Sequence, residues 1–157
     1  MQNKLELSEF LSNINGKVLI AGIGNPLRGD DYVGSYIIKN LKNKINAILI
    51  DCEDKPENFI EQIIHEKPDT IIFIDALQMN KLPGSVCFIT DKELSNKGLS
   101  THRLSLKISI SYIKARINSR IMIIGIQPKT TGFGDPMSEE VAKTVQIIQE
   151  LFIKFLR

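Results

Sequence analysis

Five short runs of apolar, largely β-branched residues punctuate the chain: 17–23 (KVLIAGI), 46–51 (NAILID), 70–75 (TIIFID), 85–90 (SVCFIT) and 120–126 (RIMIIGI). Most lack polar alternation, which is the pattern of strands buried on both faces. Between the runs the apolar residues shift to helical spacing. Val33, Ile37 and Leu41 recur at every fourth position within 32–41, a second helix is predicted over 57–65, and Val141, Val145, Ile148 and Phe152 line one side of 138–156. Strands that alternate with helices in this way predict βαβ units, hence an α/β domain with a mostly parallel sheet covered on both faces. The last helix has a start signal in DPMSEE, where Asp135 or Ser138 can cap free backbone N–H groups and Glu139 and Glu140 suit the positive end of the helix.

One segment is ambiguous by pattern. In 101–117 (THRLSLKISISYIKARI) Leu104, Leu106, Ile108, Ile110 and Tyr112 alternate strictly with polar residues, the period of a half-buried strand. Wound as a helix, the segment places Leu104, Ile108 and Tyr112 on one side and Leu106, Ile110, Ile113 and Ile117 nearly opposite, so it needs burial on two sides.

Composition narrows the class. A chain of 157 residues, 43% hydrophobic and 24% charged, predicts one globular domain over 1–157, with no repeat, low-complexity tract or linker. The net charge of +2 comes from Lys and Arg scattered among Asp and Glu, without a basic block, which argues against nucleic acid as a partner. Cys52 and Cys87 stand far apart with no CxxC pair, so two reduced, buried thiols are expected, with neither a disulfide framework nor a zinc ribbon. The first 17 residues carry acidic side chains and no apolar signal core, and the other apolar runs are too short to span a bilayer. The expected place of work is the cytoplasm, without a membrane partner.

Candidate chemistry concentrates in 19–34, LIAGIGNPLRGDDYVG, where a strand meets a glycine-rich turn and then a helix. That is the frame of a phosphate loop without its chemistry. Gly22-x-Gly24 has Leu27 where a dinucleotide fingerprint needs its third glycine, and Gly24-x-x-x-x-Gly29 runs into Asp30 and Asp31, which repel a phosphate. A carboxylate-lined turn suits a cation instead, although at least one of the two aspartates is expected simply to cap the following helix. In open α/β sheets ligands gather beyond the carboxyl ends of the strands. The third run ends there on Asp75, so parallel neighbours would bring Asp31 and Asp75 to one rim. Asp51, followed by Glu53 and Asp54, is a further acidic turn, which an Asx-turn explains more simply. Of two histidines, His65 reads as a polar residue near a helix end, and the neighbours of His102 do not decide its role. No Gly-x-Ser-x-Gly elbow is present, and both cysteines lie in or just after strand runs, so no Ser or Cys nucleophile stands out.

Taken together, these blocks resemble the [NiFe] hydrogenase maturation endopeptidases, near the type that matures hydrogenase 3. GIGNPLRGDDYVG is similar to that family's GxGNxLxxDDGxG signature, and IDALQMNKLPGSV to its second block, an Asp after a buried strand followed by Pro-Gly. STHRLSL is similar to the third block and GIQPKTTGFGDPMSEEV to the fourth. The resemblance implies a three-layer α/β sandwich with a twisted, mostly parallel sheet of about five strands, SVCFIT running antiparallel near an edge. It also implies a nickel-dependent endopeptidase that removes the C-terminal extension of a [NiFe] hydrogenase large-subunit precursor after nickel insertion. By position the family's nickel-contacting, catalytic residues fall on Asp31, Asp75 and His102. Two carboxylates and an imidazole form an O/O/N set with open positions, suited to nickel presented by the substrate and not permanently bound. Asp30 would then cap the helix or support Asp31, while Asn25 and Gly24 shape the turn. The chain departs from the pattern at Tyr32, where the family usually has a small residue, and the family fold implies a helix after His102 against the alternation noted above. Two other readings stand beside it: a non-catalytic nickel carrier or checkpoint in hydrogenase assembly that uses the same residues, and another metallohydrolase on a similar sheet with its own stably bound metal.

Overall fold

The computed structural model describes residues 2–96 and 104–157. Among them, β1 (Val18–Gly22), β2 (Ile48–Asp51), β3 (Thr70–Ala76), β4 (Val86–Thr90) and β5 (Arg120–Ile126) join in one sheet in the order β2-β1-β3-β5-β4. The first three and β5 are parallel, with Gly22 opposite Asp51 on one side and Ile74 on the other, and Asp75 opposite Gly125. β4 is antiparallel at the edge, Val86 lying opposite Ile126. All residues of β1 and β3 are buried, as continuous apolar runs require when both faces of a sheet are covered.

Alternate residues feed two cores. Ile20, Ile72, Ile74 and Ile124 pack beneath α1 (Gln2–Ser12), α2 (Val33–Leu41) and α6 (Glu139–Leu156). Leu19, Phe73 and Ile123 pack beneath α3 (Ile60–Glu66) and α5 (Leu104–Arg116). A short α4 (Asp91–Asn96) follows β4. The three-layer sandwich is thus the expected one, and the helices begin where local chemistry allows. The Ser138 hydroxyl accepts from Val141 N at 3.4 Å and caps α6, and a Gly29–Tyr32 turn of 3-10 helix leads into α2. Pro56 opens a second such turn, Pro56–Phe59, ahead of α3, so the helix predicted over 57–65 starts later than expected.

One ambiguity is resolved and one expectation corrected. The alternating segment is helix α5, as the family resemblance implied: Leu106, Ile110 and Ile113 are buried, while Leu104, Ile108 and Tyr112 form a second stripe that stays exposed. A helix with opposite apolar stripes mimics the period of a strand. Of the two thiols, only Cys52 is buried; Cys87 is half-buried. No described helix is long and apolar enough to cross a membrane.

Candidate active site

Strand order reverses between β1 and β3, since the chain goes from β1 outward to β2 and then crosses to β3 on the other side. Their carboxyl ends splay loops to opposite faces and leave a crevice at that switch point. The strand ends remain laced past the ladder: Ile23 N donates to Ile74 O and Cys52 N to Gly22 O, both at 2.8 Å, and Gly24 N donates to Glu53 O at 2.7 Å. The 24–31 turn then closes on itself. Asn25 N donates to Asp31 O (3.1 Å), Arg28 N to Asn25 O (3.2 Å) and Asp31 N to Arg28 O (2.9 Å), while Asn25 Oδ1 accepts from Leu27 N (2.9 Å) in an Asx-turn. A Cβ on Gly24 would stand 2.7 Å from Asp31 O, so the turn can fold this tightly only with glycine there. Gly24 and Asn25 therefore shape the turn.

The two adjacent aspartates have different surroundings. Asp30 is wholly buried: Oδ2 accepts from Lys129 N (2.8 Å), Thr130 N (3.2 Å) and Ser138 Oγ (2.9 Å), and Oδ1 from Ser138 N (2.7 Å). Its own amide donates to Thr130 O at 2.9 Å. The side-chain bonds of Asp30 thus go to the loop before α6 and not to α2, so Asp30 is a brace between two loops and not the cap of the helix that follows it. Gly29 permits this contact, with φ at +53° and room for no Cβ against Thr130 O. Asp31, one residue on, is half-buried in the Gly29–Tyr32 turn, which packs on β3.

Asp75 is fully buried near the end of β3. It alternates with Phe73 and Leu77 and so points to the α3–α5 face. Its charge reaches Cys52, whose thiol is pushed up to about 12 by burial, with Asp51 and Asp75 adding to the shift. Burial thus keeps Cys52 protonated at neutral pH, the state of a structural thiol and not of a nucleophile. Asp51 is engaged locally, its Oδ1 accepting from Ser35 Oγ (2.6 Å) and from Glu53 N (3.0 Å) in the expected Asx-turn. Tyr32 lies along α2, its ring edge-on to Tyr36 at 5.5 Å and its hydroxyl accepting from Lys39 Nζ at 3.1 Å. His65 is exposed in the last turn of α3. His102 lies outside the described residues, and among the described ones no group of three His, Cys, Asp or Glu side chains converges to hold a metal.

Gln127 went unnoticed in the sequence. Its side chain is 3% exposed and holds the loop that leaves β3: Oε1 accepts from Met79 N (2.7 Å) and Lys81 N (3.3 Å), and Nε2 donates to Gln78 Oε1 and to Pro128 O. The available signal was a lone amide directly after the apolar run 121–126, where a buried polar group must find partners.

The hydrogenase maturation protease family matches residues 32–154 of this chain. A Methanocaldococcus jannaschii protein, named provisionally as a hydrogenase maturation protease, is 39% identical over 153 residues, covering 86% of this chain and 90% of its own. The hydrogenase 3 maturation protease of Escherichia coli K12 is 28% identical over 131 residues, covering 82% and 83%. The crystal structure of the [NiFe] hydrogenase maturation protease HycI from Thermococcus kodakarensis KOD1 superposes with a TM-score of 0.86 at 31% identity, over 96% of this chain and 98% of that one.

Proposed function

This chain belongs to the hydrogenase maturation protease family, an endopeptidase of hydrogenase maturation, and from that premise we propose that it removes the C-terminal extension of a [NiFe] hydrogenase large-subunit precursor once nickel is in place. The observation that carries this reading is the placement of Asp31 in the turn after β1 and of Asp75 near the carboxyl end of β3, its parallel neighbour, at the switch point, while Asp30, just before Asp31, is committed to the 129–138 loop. Asp31 and Asp75 supply oxygen donors toward the substrate's nickel, and His102 supplies a nitrogen. Such a mixed set suits a borderline cation that keeps its own ligands in the precursor.

In this reading the metal belongs to the substrate and marks which precursors are ready. The protein's part is to hold it beside the scissile bond, where it polarises the carbonyl or activates a water. Gly24 and Asn25 fix where Asp31 stands, and Asp30 keeps that turn against the loop before α6. The protonated Cys52 beneath the rim argues for direct attack by water over a covalent thioester. The expected site of action is the cytoplasm.

The test is intact-mass analysis of a nickel-loaded large-subunit precursor incubated with the protein, with nickel-free precursor and the Asp31→Asn variant as controls. Release of a C-terminal fragment that requires both nickel and Asp31 is the expected result. A stable nickel-dependent complex without any cut would make the protein a checkpoint and overturn the protease mechanism, and cutting without nickel would remove the metal from it.

A further inference from the structure

Single exposed apolar side chains are ordinary, but two here stand on loops that are unusually well fixed. Leu27, 56% exposed, sits within the turn that presents Asp31, and Phe133, 73% exposed, sits in the loop that Asp30 braces. Their loops meet, since Gly134 N donates to Leu27 O at 2.7 Å. Leu27 is held from the other side by its amide bond to Asn25 Oδ1. Phe133 rides a closed loop in which Thr130 Oγ1 bonds Asp135 Oδ2, Gly132 N donates to Thr130 Oγ1 (3.2 Å) and Asp135 N donates to Gly132 O (3.1 Å). Both backbones are thus ordered by polar bonds that neither apolar side chain contributes to.

We propose that Leu27 and Phe133 are specificity-determining residues that seat an apolar stretch of the precursor polypeptide beside the scissile bond. The inference rests on the endopeptidase reading of the Asp31 rim. A protease must hold its chain by contacts away from the reacting atoms, and those contacts set how well the bond is positioned. Rigid, exposed apolar groups suit that task, because the loops are ordered before the substrate arrives and binding need not order them. Continuity with the site selects this pair over the apolar stripe of α5. Leu27 is four residues from Asp31 within one hydrogen-bonded turn. The α5 stripe lies on the flank of a helix, where Tyr112 already engages Glu61 and Arg116.

The test is steady-state processing of the nickel-loaded precursor by Leu27→Ser, Phe133→Ser and the double variant, with Ile108→Ser as a control from the α5 stripe. Each single change raises KM roughly tenfold and the double more, the size of a lost apolar anchor, with kcat within about twofold. Melting temperatures stay at the wild-type value or rise, because exposed apolar groups contribute little to folding. Phe133→Leu restores most of the affinity. Unchanged KM in the double variant overturns the proposal. So does a fall in kcat alone, which would mean that the loops merely position Asp31. Affinity of the Asp31→Asn protein for the precursor, with and without the two serine changes, reads the contact apart from catalysis. Weaker binding with the changes supports the seat, and equal binding overturns it. Should Asp31→Asn cut normally, the role given to Asp31 falls, while the affinity comparison still decides the seat.

Discussion

The carboxyl rim of the sheet and the groove on its other flank divide two properties often sought in one place. The groove, about 630 Å³ between α1, α6 and edge strand β4, has room and an apolar lining that includes Leu7, Val86, Phe88 and Leu151. Its polar members are amides, hydroxyls and the amines of Lys4 and Lys143, with no carboxylate among them. The rim offers Asp31 and Asp75 on a braced turn and a buried strand end, with Leu27 in the turn of Asp31 and Phe133 on the loop bonded to it. Size marks where a small molecule would fit; chemistry marks where a bond is broken. For a substrate that is itself a polypeptide, an open edge beside two carboxylates serves better than a chamber.

The largest expected effect is at Asp75. Asp75→Asn lowers precursor processing by about 100-fold or more, the scale on which a positioned acid–base or electrostatic group acts. Its melting temperature holds, since the change removes a buried charge and little volume. In the groove, Leu82→Ser and Lys143→Ser leave processing within about twofold of wild type, as surface changes remote from a site do. A groove variant as inactive as Asp75→Asn would erase the contrast.

Next in size is Asp30→Asn. The amide keeps one acceptor, so its N–H groups face either Ser138 N or the amides of Lys129 and Thr130, leaving buried donors facing donors whichever way it turns. A loss of about 2–3 kcal/mol in a denaturant titration is expected, with processing falling because Asp31 is no longer held. Unchanged stability would show that the brace does not hold the rim. The smallest effect concerns Cys52 beneath the rim. Its thiol rises from 9.0 to about 12 in the fold, so the folded chain keeps a proton that the unfolded chain releases. That contribution is full below pH 9 and is lost as pH climbs toward 12. Denaturation measured across this range shows a decline that Cys52→Ala reduces, and equal slopes would show that burial does not raise the thiol.

The strands were legible because burial on both faces leaves uninterrupted β-branched runs, and Asp75 was legible because such a run ends on it. Helix α1 was not, since Leu7, Phe10 and Leu11 sit among polar residues in a stretch with no acidic first turn or basic last turn. At 104–112 the two stripes of α5, one buried and one exposed, give the same spacing as a half-buried strand, and only the family resemblance favoured a helix. Asp30 shows the deeper limit. Side by side in the sequence, Asp30 and Asp31 look equivalent. What separates them is a set of donors about a hundred positions away, and no local pattern encodes those partners.

That separation also sets when the protein becomes competent. Asp31 and Asp75 both belong to the first half of the polypeptide and leave the ribosome early. The donors that anchor the turn, at 129, 130 and 138, emerge about a hundred residues after it. A nascent chain therefore carries both carboxylates before the bonds that anchor the Asp31 turn can form. Loop closure over this distance is slow and late. The rim is thus a product of long-range closure and not of the local stretch that carries its first carboxylate.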